Sequence, residues 1–483
     1  MVIDIDAVDP AGDGVGRDRG TRVHVPYTIP GERVRVTIVD RRGREAWAAL
    51  EEVLEPSPHR VEPKCSHFGP PDRCGGCTWQ HIAYPEQLRL KTRLVEDLVG
   101  HAFGRESGSR RSRGAGGAPS VLPTLAPTPI DDPWGYRQKV HFVFANNRTL
   151  KMGHYSRGSR HVFDARECPV HDPRGNAFAF RLHEECTDAG VRAASPEGPA
   201  RPERGRGERS RGAHGRGGSA RTGGTLRSIA LRVGAATPEL MATLVVTNTT
   251  DKRLRSATRR ALESPDAPQS FHLNVHARPD PYIFGPETRH LRGPQHLRER
   301  VAATSFLISP TAFFQTNVRA ADVLVRLVLD ALPPGQPIVD LYAGVGLFAL
   351  PLASRGDRVT AVEENRAATI DGIASLRLNR IDRDRCTFVA RRVEAALRAI
   401  QPRDAVHVVL DPPREGCDRA VVDEVFGRLR PARAVYISCN PEALARDLAA
   451  IAGHGYRAQP LQPVDMFPHT AHIESVVVLR RRK

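Results

Sequence analysis

QPIVDLYAGVGLFALPLA, residues 336–353, decides the fold. Its first half is a short apolar run with two β-branched residues, Ile338 and Val339, that closes on Asp340. Gly344 and Gly346 follow within a tight turn, and an apolar helical stretch begins at once. Glycines belong where backbone turns sharply and lets a ligand approach the start of a helix. Working outward, the alternation repeats to the end of the chain. DRVTAVEEN, CTFVAR, AVHVVLDPP, ARAVYISCN and HIESVVVLR read as strands, with helices rich in Ala, Leu and Arg between them. That pattern specifies a Rossmann-like, mostly parallel doubly wound sheet over residues 299–483, with ligands at the carboxyl ends of its strands.

Upstream the character changes. Residues 1–58 hold short strands (VIDIDAV, RVHVPYT, ERVRVTIVD, EAWAALEEVL) broken by turns such as AGDGVG and IPGE, the pattern of a small OB-like β-barrel. Residues 59–298 read as a central α+β region with a cysteine cluster and an amphipathic helix over PEQLRLKTRLVEDLVG. Two low-complexity basic inserts, about 104–119 and 196–224, are too polar and Gly-rich to bury a core. The fold class is therefore α/β, multidomain.

A chain of 483 residues with 40% apolar residues needs several cores. Its net charge of +16 favours an acidic polymer, such as a nucleic acid, as partner. No apolar run is long enough to cross a bilayer and no signal-peptide pattern opens the chain, so a cytoplasmic protein is expected. Eight cysteines in that setting point to metal ligands and nucleophiles rather than disulfides.

The glycine turn alone leaves two cofactors open, because Gly344-Val345-Gly346-Leu347-Phe348-Ala349 also fits the dinucleotide fingerprint. Asp340, four residues before the first glycine, and the LDPPREG segment at Asp411 favour S-adenosylmethionine over NAD. Glu363 ends the next strand, where a carboxylate chelates ribose hydroxyls. Cys439 sits between a buried strand and a helix opened by Asn440-Pro441, a place where the helix dipole favours thiolate. Glu474 starts the last strand with His472 nearby, and a carboxylate there is either a solvated flank or a general base held against a pocket. One thiol and one carboxylate over a methyl donor supply what methylation of uracil carbon 5 requires: addition at C6, and removal of the C5 proton.

CSHFGPPDRCGGCTWQH brings Cys65, Cys74 and Cys77, and RECPVHDP brings Cys168. A four-cysteine zinc site and a [4Fe–4S] cluster are not separable by this spacing, while the C-x3-C-x2-C pattern of radical enzymes is absent. Cys186, Cys386 and Cys417 have no matching partners.

Together these motifs resemble the bacterial RNA (uracil-C5)-methyltransferases that carry an N-terminal TRAM domain, of the 23S ribosomal RNA type. The resemblance covers nearly the whole chain apart from the two inserts. It implies that residues 1–58 are a TRAM domain and that Cys65, Cys74, Cys77 and Cys168 ligate a [4Fe–4S] cluster, zinc being the less favoured metal. YRQKVHF implies RNA contact by Arg137 and Lys139, and ISPTAFFQTN implies Gln315 at the cofactor and Phe313 at a flipped base. Cofactor contacts carry to Tyr342, Gly344, Glu363 and Asp411, the nucleophile to Cys439, and the base to Glu474. The implied substrate is 23S rRNA ahead of tRNA, and the implied state is a monomer. Two departures stand out: the gap between Cys65 and Cys74 is long, with GPPD expected to loop out, and Leu347 replaces a residue that is often a cofactor contact.

Overall fold

The computed structural model describes residues 1–104, 117–194, 224–278 and 282–482. Nearly all of both basic inserts lies outside the described residues.

The N-terminal strands Val2–Val8, Gly14–Asp18, Thr21–Val25, Arg33–Arg42 and Glu45–Glu55 close into a five-stranded barrel. Alternate residues point inward, so Ile3, Ile5, Val23, Val25, Val34, Val36, Ala46 and Ala48 form its core. One strand departs from the sequence reading: Gly14–Asp18 was expected as a turn. Its glycines serve close approach, since a Cβ on Gly16 would fall 2.3 Å from the Asp4 carbonyl and one on Gly14 would fall 2.0 Å from Thr28 Oγ1.

The central sheet has six strands, in the spatial order Glu287–Arg292, Ser270–Val275, Leu240–Val246, Leu226–Val233, Lys139–Asn146 and Leu150–Gly153. The helices Pro173–Asp188 and Lys252–Leu262 cover it, packing Phe178, Leu182, Leu254 and Ala257 onto the buried strand residues. A hairpin of Leu297–Val301 with Thr304–Ile308 then straddles residue 299 and packs its apolar face into the core of the following sheet.

That C-terminal sheet runs, by neighbour, Cys386–Ala390, Arg358–Glu363, Pro337–Leu341, His407–Leu410, Arg433–Ser438, Glu474–Arg481 and Tyr456–Ala458. The first five are parallel and Glu474–Arg481 runs antiparallel. Apolar cores lie on both faces, which is why the strands are continuous apolar runs rather than alternating ones.

Helix Tyr84–Ala102 precedes the central sheet in sequence, yet it packs on the C-terminal one. Val95 and Val99 share a core with Val339, Leu448 and Tyr456. Beneath it Lys91 Nζ, fully buried, donates to Asp465 Oδ1 at 2.6 Å and to the Phe467 carbonyl at 3.0 Å. Gln87 donates to the Trp79 and Ile82 carbonyls and accepts from the His469 N–H. Trp134 stacks on His469 with ring centroids 3.8 Å apart. The loop before Glu474 is thus fixed by elements from the first third of the chain.

Candidate active site and cysteine pocket

The register of the C-terminal sheet brings the expected reactive groups to one edge. Leu341 pairs with Leu410, Leu410 with Tyr436, and Ser438 with Ser475. Tyr342, Asp411 and Cys439 are each the residue immediately past the paired end of a parallel strand, and Glu474 opens the antiparallel strand opposite Cys439. Four segments distant in sequence therefore converge at the carboxyl edge.

The glycine turn lies at that edge too. Gly344 and Gly346 have φ of 55° and 89°, values open to glycine at little cost. A Cβ on Gly346 would meet Phe388 Cζ at 2.8 Å, whereas one on Gly344 would meet nothing within 4 Å, leaving open space at the turn. Glu363 holds the turn: its Oε2 accepts from the Gly344 N–H at 2.9 Å and its Oε1 from the Asn365 N–H at 2.7 Å, and each oxygen keeps a lone pair for a ligand hydroxyl. Asp340 is completely buried, and neither carboxylate oxygen has a hydrogen-bond partner of normal geometry. Burial, then the Asp411 charge, pushes its pKa well up, with the Ala349 N–H pulling weakly the other way. Two orphaned buried carboxylate oxygens beside an open glycine turn fit a cofactor with a cationic amine and ribose hydroxyls. Tyr342 has a φ of 64° and faces the Cys417 thiol, and Leu347 is buried in the core.

Cys439 is half-buried, and Asn440 is the N-cap of helix Pro441–Gly453, accepting from the Glu442 and Ala443 N–H groups. The helix N-terminus does not deliver the thiolate expected from sequence. Burial, then the charges of Glu474 and Asp411, pushes the Cys439 pKa up to about 11. The cap amides are already taken by Asn440, so desolvation beside two carboxylates outweighs the dipole. Glu474 is buried and its pKa is pushed well up by burial and by Asp411; burial alone takes Asp411 to about 7. Three acids thus share one pocket in which burial and mutual repulsion raise the proton affinity of each.

Sequence reasoning passed over Arg414 and Asp447, and read Asn440 only as part of the helix start. Arg414 is the cation whose charge favours the ionised forms of both Cys439 and Glu474. Its backbone is held by Asn440 Nδ2, which donates to the Arg414 carbonyl at 2.9 Å. Asp447 accepts from the Cys417 N–H at 2.8 Å and from the Tyr436 hydroxyl at 2.6 Å, tying the same loop to the helix after Cys439. The available signal was an arginine directly after the Asp-Pro-Pro turn.

Phe313 is 64% exposed, a large ring left uncovered beside buried Phe314. Gln315 is half-buried. Their segment is clamped on both sides. Gln138 Oε1 accepts from the Val318 N–H, Arg232 donates to the Ala312 carbonyl, and Asn317 Nδ2 donates to the Met466 carbonyl at 3.1 Å. Asp371 and Ser375 accept the Ser309 and Leu307 N–H groups, and Asn379 bonds both backbone groups of Ser305. Lys139 has its pKa lowered to about 7, by burial and then by Arg232, with its ammonium 5.9 Å from the Phe284 ring centre.

Cys65, Cys74, Cys77 and Cys168 line a second pocket, together with His67, His154, His171 and Arg137. The Cys74 N–H donates to the His67 carbonyl at 3.0 Å, so residues 68–73 form an excursion that contains GPPD and lets Cys74 return toward Cys65. Burial pushes all four thiols up, Cys65 to about 11 and Cys74 to about 12. Buried thiols in mutual electrostatic contact fit a metal group, which displaces their protons, better than they fit a free state. The Gly76 N–H donates to Cys74 Sγ at 3.4 Å, a bond that suits a ligating sulfur. Arg137, expected on RNA, lines this pocket with its Nε buried and unpartnered.

Comparison with known proteins places the chain among RNA methyltransferases. The family model described as tRNA (uracil-5-)-methyltransferase matches residues 233–482. An uncharacterized RNA methyltransferase of Thermosynechococcus vestitus is 35% identical, over 98% of this chain and 96% of its own. Another, of Halalkalibacterium halodurans, is 30% identical over 97% of this chain and 94% of its own. The crystal structure of Pyrococcus abyssi tRNA (uracil-54, C5)-methyltransferase, in complex with S-adenosyl-L-homocysteine, shares the fold. Its TM-score is 0.70 at 24% identity, with 99% of both chains covered.

Proposed function

The chain belongs to the tRNA (uracil-5-)-methyltransferase family, and on that premise we propose that it methylates carbon 5 of a uridine in 23S rRNA through a covalent Cys439 adduct. The observation that carries the reading is the convergence of Cys439, Glu474 and Asp411 on one sheet edge beside the open Gly344 turn.

Gly344, Glu363, Tyr342, Gln315 and Asp411 would hold S-adenosylmethionine, which would supply an electrophilic methyl group. Uracil C5 is too weak a nucleophile to take it unaided. Cys439 Sγ bonds to C6 as its proton leaves to solvent, and the electron pair of the C5–C6 double bond moves into an enolate. C5 accepts the methyl group. Glu474 then removes the proton on C5, the double bond re-forms, and the C6–S bond breaks to release Cys439. The burial that keeps Glu474 protonated at rest makes it a stronger base once it ionises. Arg414 favours both anions, so it belongs beside the reacting atoms.

A stacked base cannot reach this pocket, so the uridine is flipped out, with Phe313 as its stacking surface. The barrel, in the role of a TRAM domain, and the basic surface hold the phosphates, which makes binding weaken steeply with salt. Cys65, Cys74, Cys77 and Cys168 would hold a [4Fe–4S] cluster, whose chemistry there is to cross-link the 65–77 loop to the central sheet. The second substrate reading is a tRNA uridine. It is favoured by the full-length likeness in fold to the Pyrococcus abyssi tRNA (uracil-54, C5)-methyltransferase.

The test is incubation with 5-fluorouracil-substituted rRNA or tRNA and S-adenosylmethionine. Fluorine at C5 cannot leave as a proton, so the adduct persists through denaturation. Wild type should trap one of the two RNAs. Trapping by Cys439→Ala at the wild-type level would end the proposal, and the RNA that is trapped selects between the readings.

A further inference from the structure

The loop that follows Asp411 is held against the helix after Cys439 at three places in succession. Asn440 Nδ2 donates to the Arg414 carbonyl at 2.9 Å, Arg446 donates to the Glu415 carbonyl, and the Cys417 N–H donates to Asp447 Oδ2 at 2.8 Å. Gly416 lies between the last two contacts with a φ of 82°. A Cβ there would fall 2.5 Å from both Arg446 Nη2 and Asp447 Oδ2, so the loop lies flat on the helix with no room for a side chain.

Asp447 is the centre of that clamp. Its side chain is 3% exposed and both of its oxygens are in use. Oδ2 accepts from the Cys417 N–H and, at 2.6 Å, from the Tyr436 hydroxyl in the strand before Cys439. Oδ1 accepts from Arg446 Nε at 3.0 Å and Nη2 at 2.9 Å, and the same Nη2 reaches the Glu415 carbonyl. A desolvated carboxylate is costly unless it is bonded this fully, so the group is fixed in place together with what it holds.

What it holds is the backbone around an arginine that has no anchor of its own. Arg414 is exposed, and its guanidinium makes no hydrogen bond or ion pair among the described residues. It is nevertheless the cation that acts on both Cys439 and Glu474. Its distance from them is therefore set by its backbone, and that backbone is set by helix Pro441–Gly453 and its cap.

We propose that Asp447 is a positioning residue for the reaction at Cys439: it pins residues 414–417 to the helix behind the thiol and so sets the place of the Arg414 guanidinium. The role rests on the reading of Cys439 as the nucleophile, and it has a sign of its own. Loss of the Asp447 charge by itself would favour a thiolate nearby, whereas loss of Arg414 from its place disfavours one. A merely structural tie would move the melting temperature and leave the reactivity of the thiol alone.

The experiment measures alkylation of Cys439 by iodoacetamide at pH 8 in the full chain, read by mass spectrometry of the peptide that carries it. Asp447→Asn and Arg414→Ala should each slow it by about threefold to tenfold. Because Asp447 acts through Arg414, adding Asp447→Asn to Arg414→Ala should change the rate by less than about twofold. Gly416→Ala pushes the loop off the helix without changing any charge, and it should slow alkylation by about threefold. Unchanged or faster alkylation in Asp447→Asn overturns the proposal, as does a fully multiplicative loss in the double variant. If Asp447→Asn does not fold, an unchanged rate in Gly416→Ala overturns it instead. Trapping of 5-fluorouracil-substituted RNA by the wild type tests the nucleophile reading by itself, so the two can fail separately.

Discussion

The two thiol pockets begin from the same physics and differ in the groups that surround the thiols. At the sheet edge burial lifts Cys439 to about 11, and in the central region it lifts Cys65 to about 11 and Cys74 to about 12. Around Cys439 the next influences are carboxylates, Glu474 and Asp411, which hold the thiol protonated and can exchange protons with a reacting base. Around Cys65, Cys74 and Cys168 the neighbours are other thiols, imidazoles and Arg137, which favour ligation. A buried thiol is therefore uninformative alone. The groups that share its desolvated space decide whether it attacks a substrate or holds a metal.

The largest expected break in this contrast is Cys439→Ala. Turnover should fall by about 10⁴-fold or more with the melting temperature little changed, read by methyl transfer and calorimetry. Retained turnover would mean that the sheet-edge thiol is only structural.

Alkylation kinetics come next. With its pKa raised to about 11, Cys439 in the free enzyme should react with iodoacetamide about tenfold faster per pH unit from 7 to 10. A plateau by pH 8 would instead show a thiolate already stabilised, as the helix-terminus argument from sequence expected.

Glu474→Gln should lower turnover by about 10²–10⁴-fold while methylated RNA accumulates on the protein, because the C5 proton has no acceptor. Absence of that adduct on a denaturing gel would move the base elsewhere.

The smallest effect separates stability from catalysis. Asp411 has a folded pKa of about 7 against an unfolded value near 3.9. Its protonated form is favoured by folding, so its contribution is present below about pH 4 and lost as pH rises through about 7. Asp411→Asn should raise the melting temperature by about 1 °C per kcal/mol recovered at pH 8, with a much smaller change at pH 4. An equal shift at both pH values would argue against a strained carboxylate.

Much of the catalytic half was legible because one local rule generates it. Strand, turn and helix repeat, and Asp340, Gly344, Asp411, Cys439 and Glu474 all fall at strand ends. The barrel was legible as alternation, except Gly14–Asp18, where glycines needed for close packing imitate a turn. Arg137 illustrates what the motif does not show: only the fold brings its side chain to the pocket of Cys74, Cys77 and Cys168.

By itself the sequence determined the doubly wound sheet, the order of Asp340, Gly344, Asp411, Cys439 and Glu474 along it, and the four cysteines, because period and turn chemistry are local properties of a chain. Only the tertiary structure decided that Cys439 rests as a thiol and that Lys91 holds the loop before Glu474. The same is true of the meeting of His154 and His171 at Cys168. Proton affinity, ion pairing and ligand geometry depend on which distant segments share a solvent-poor space, and that is set by packing.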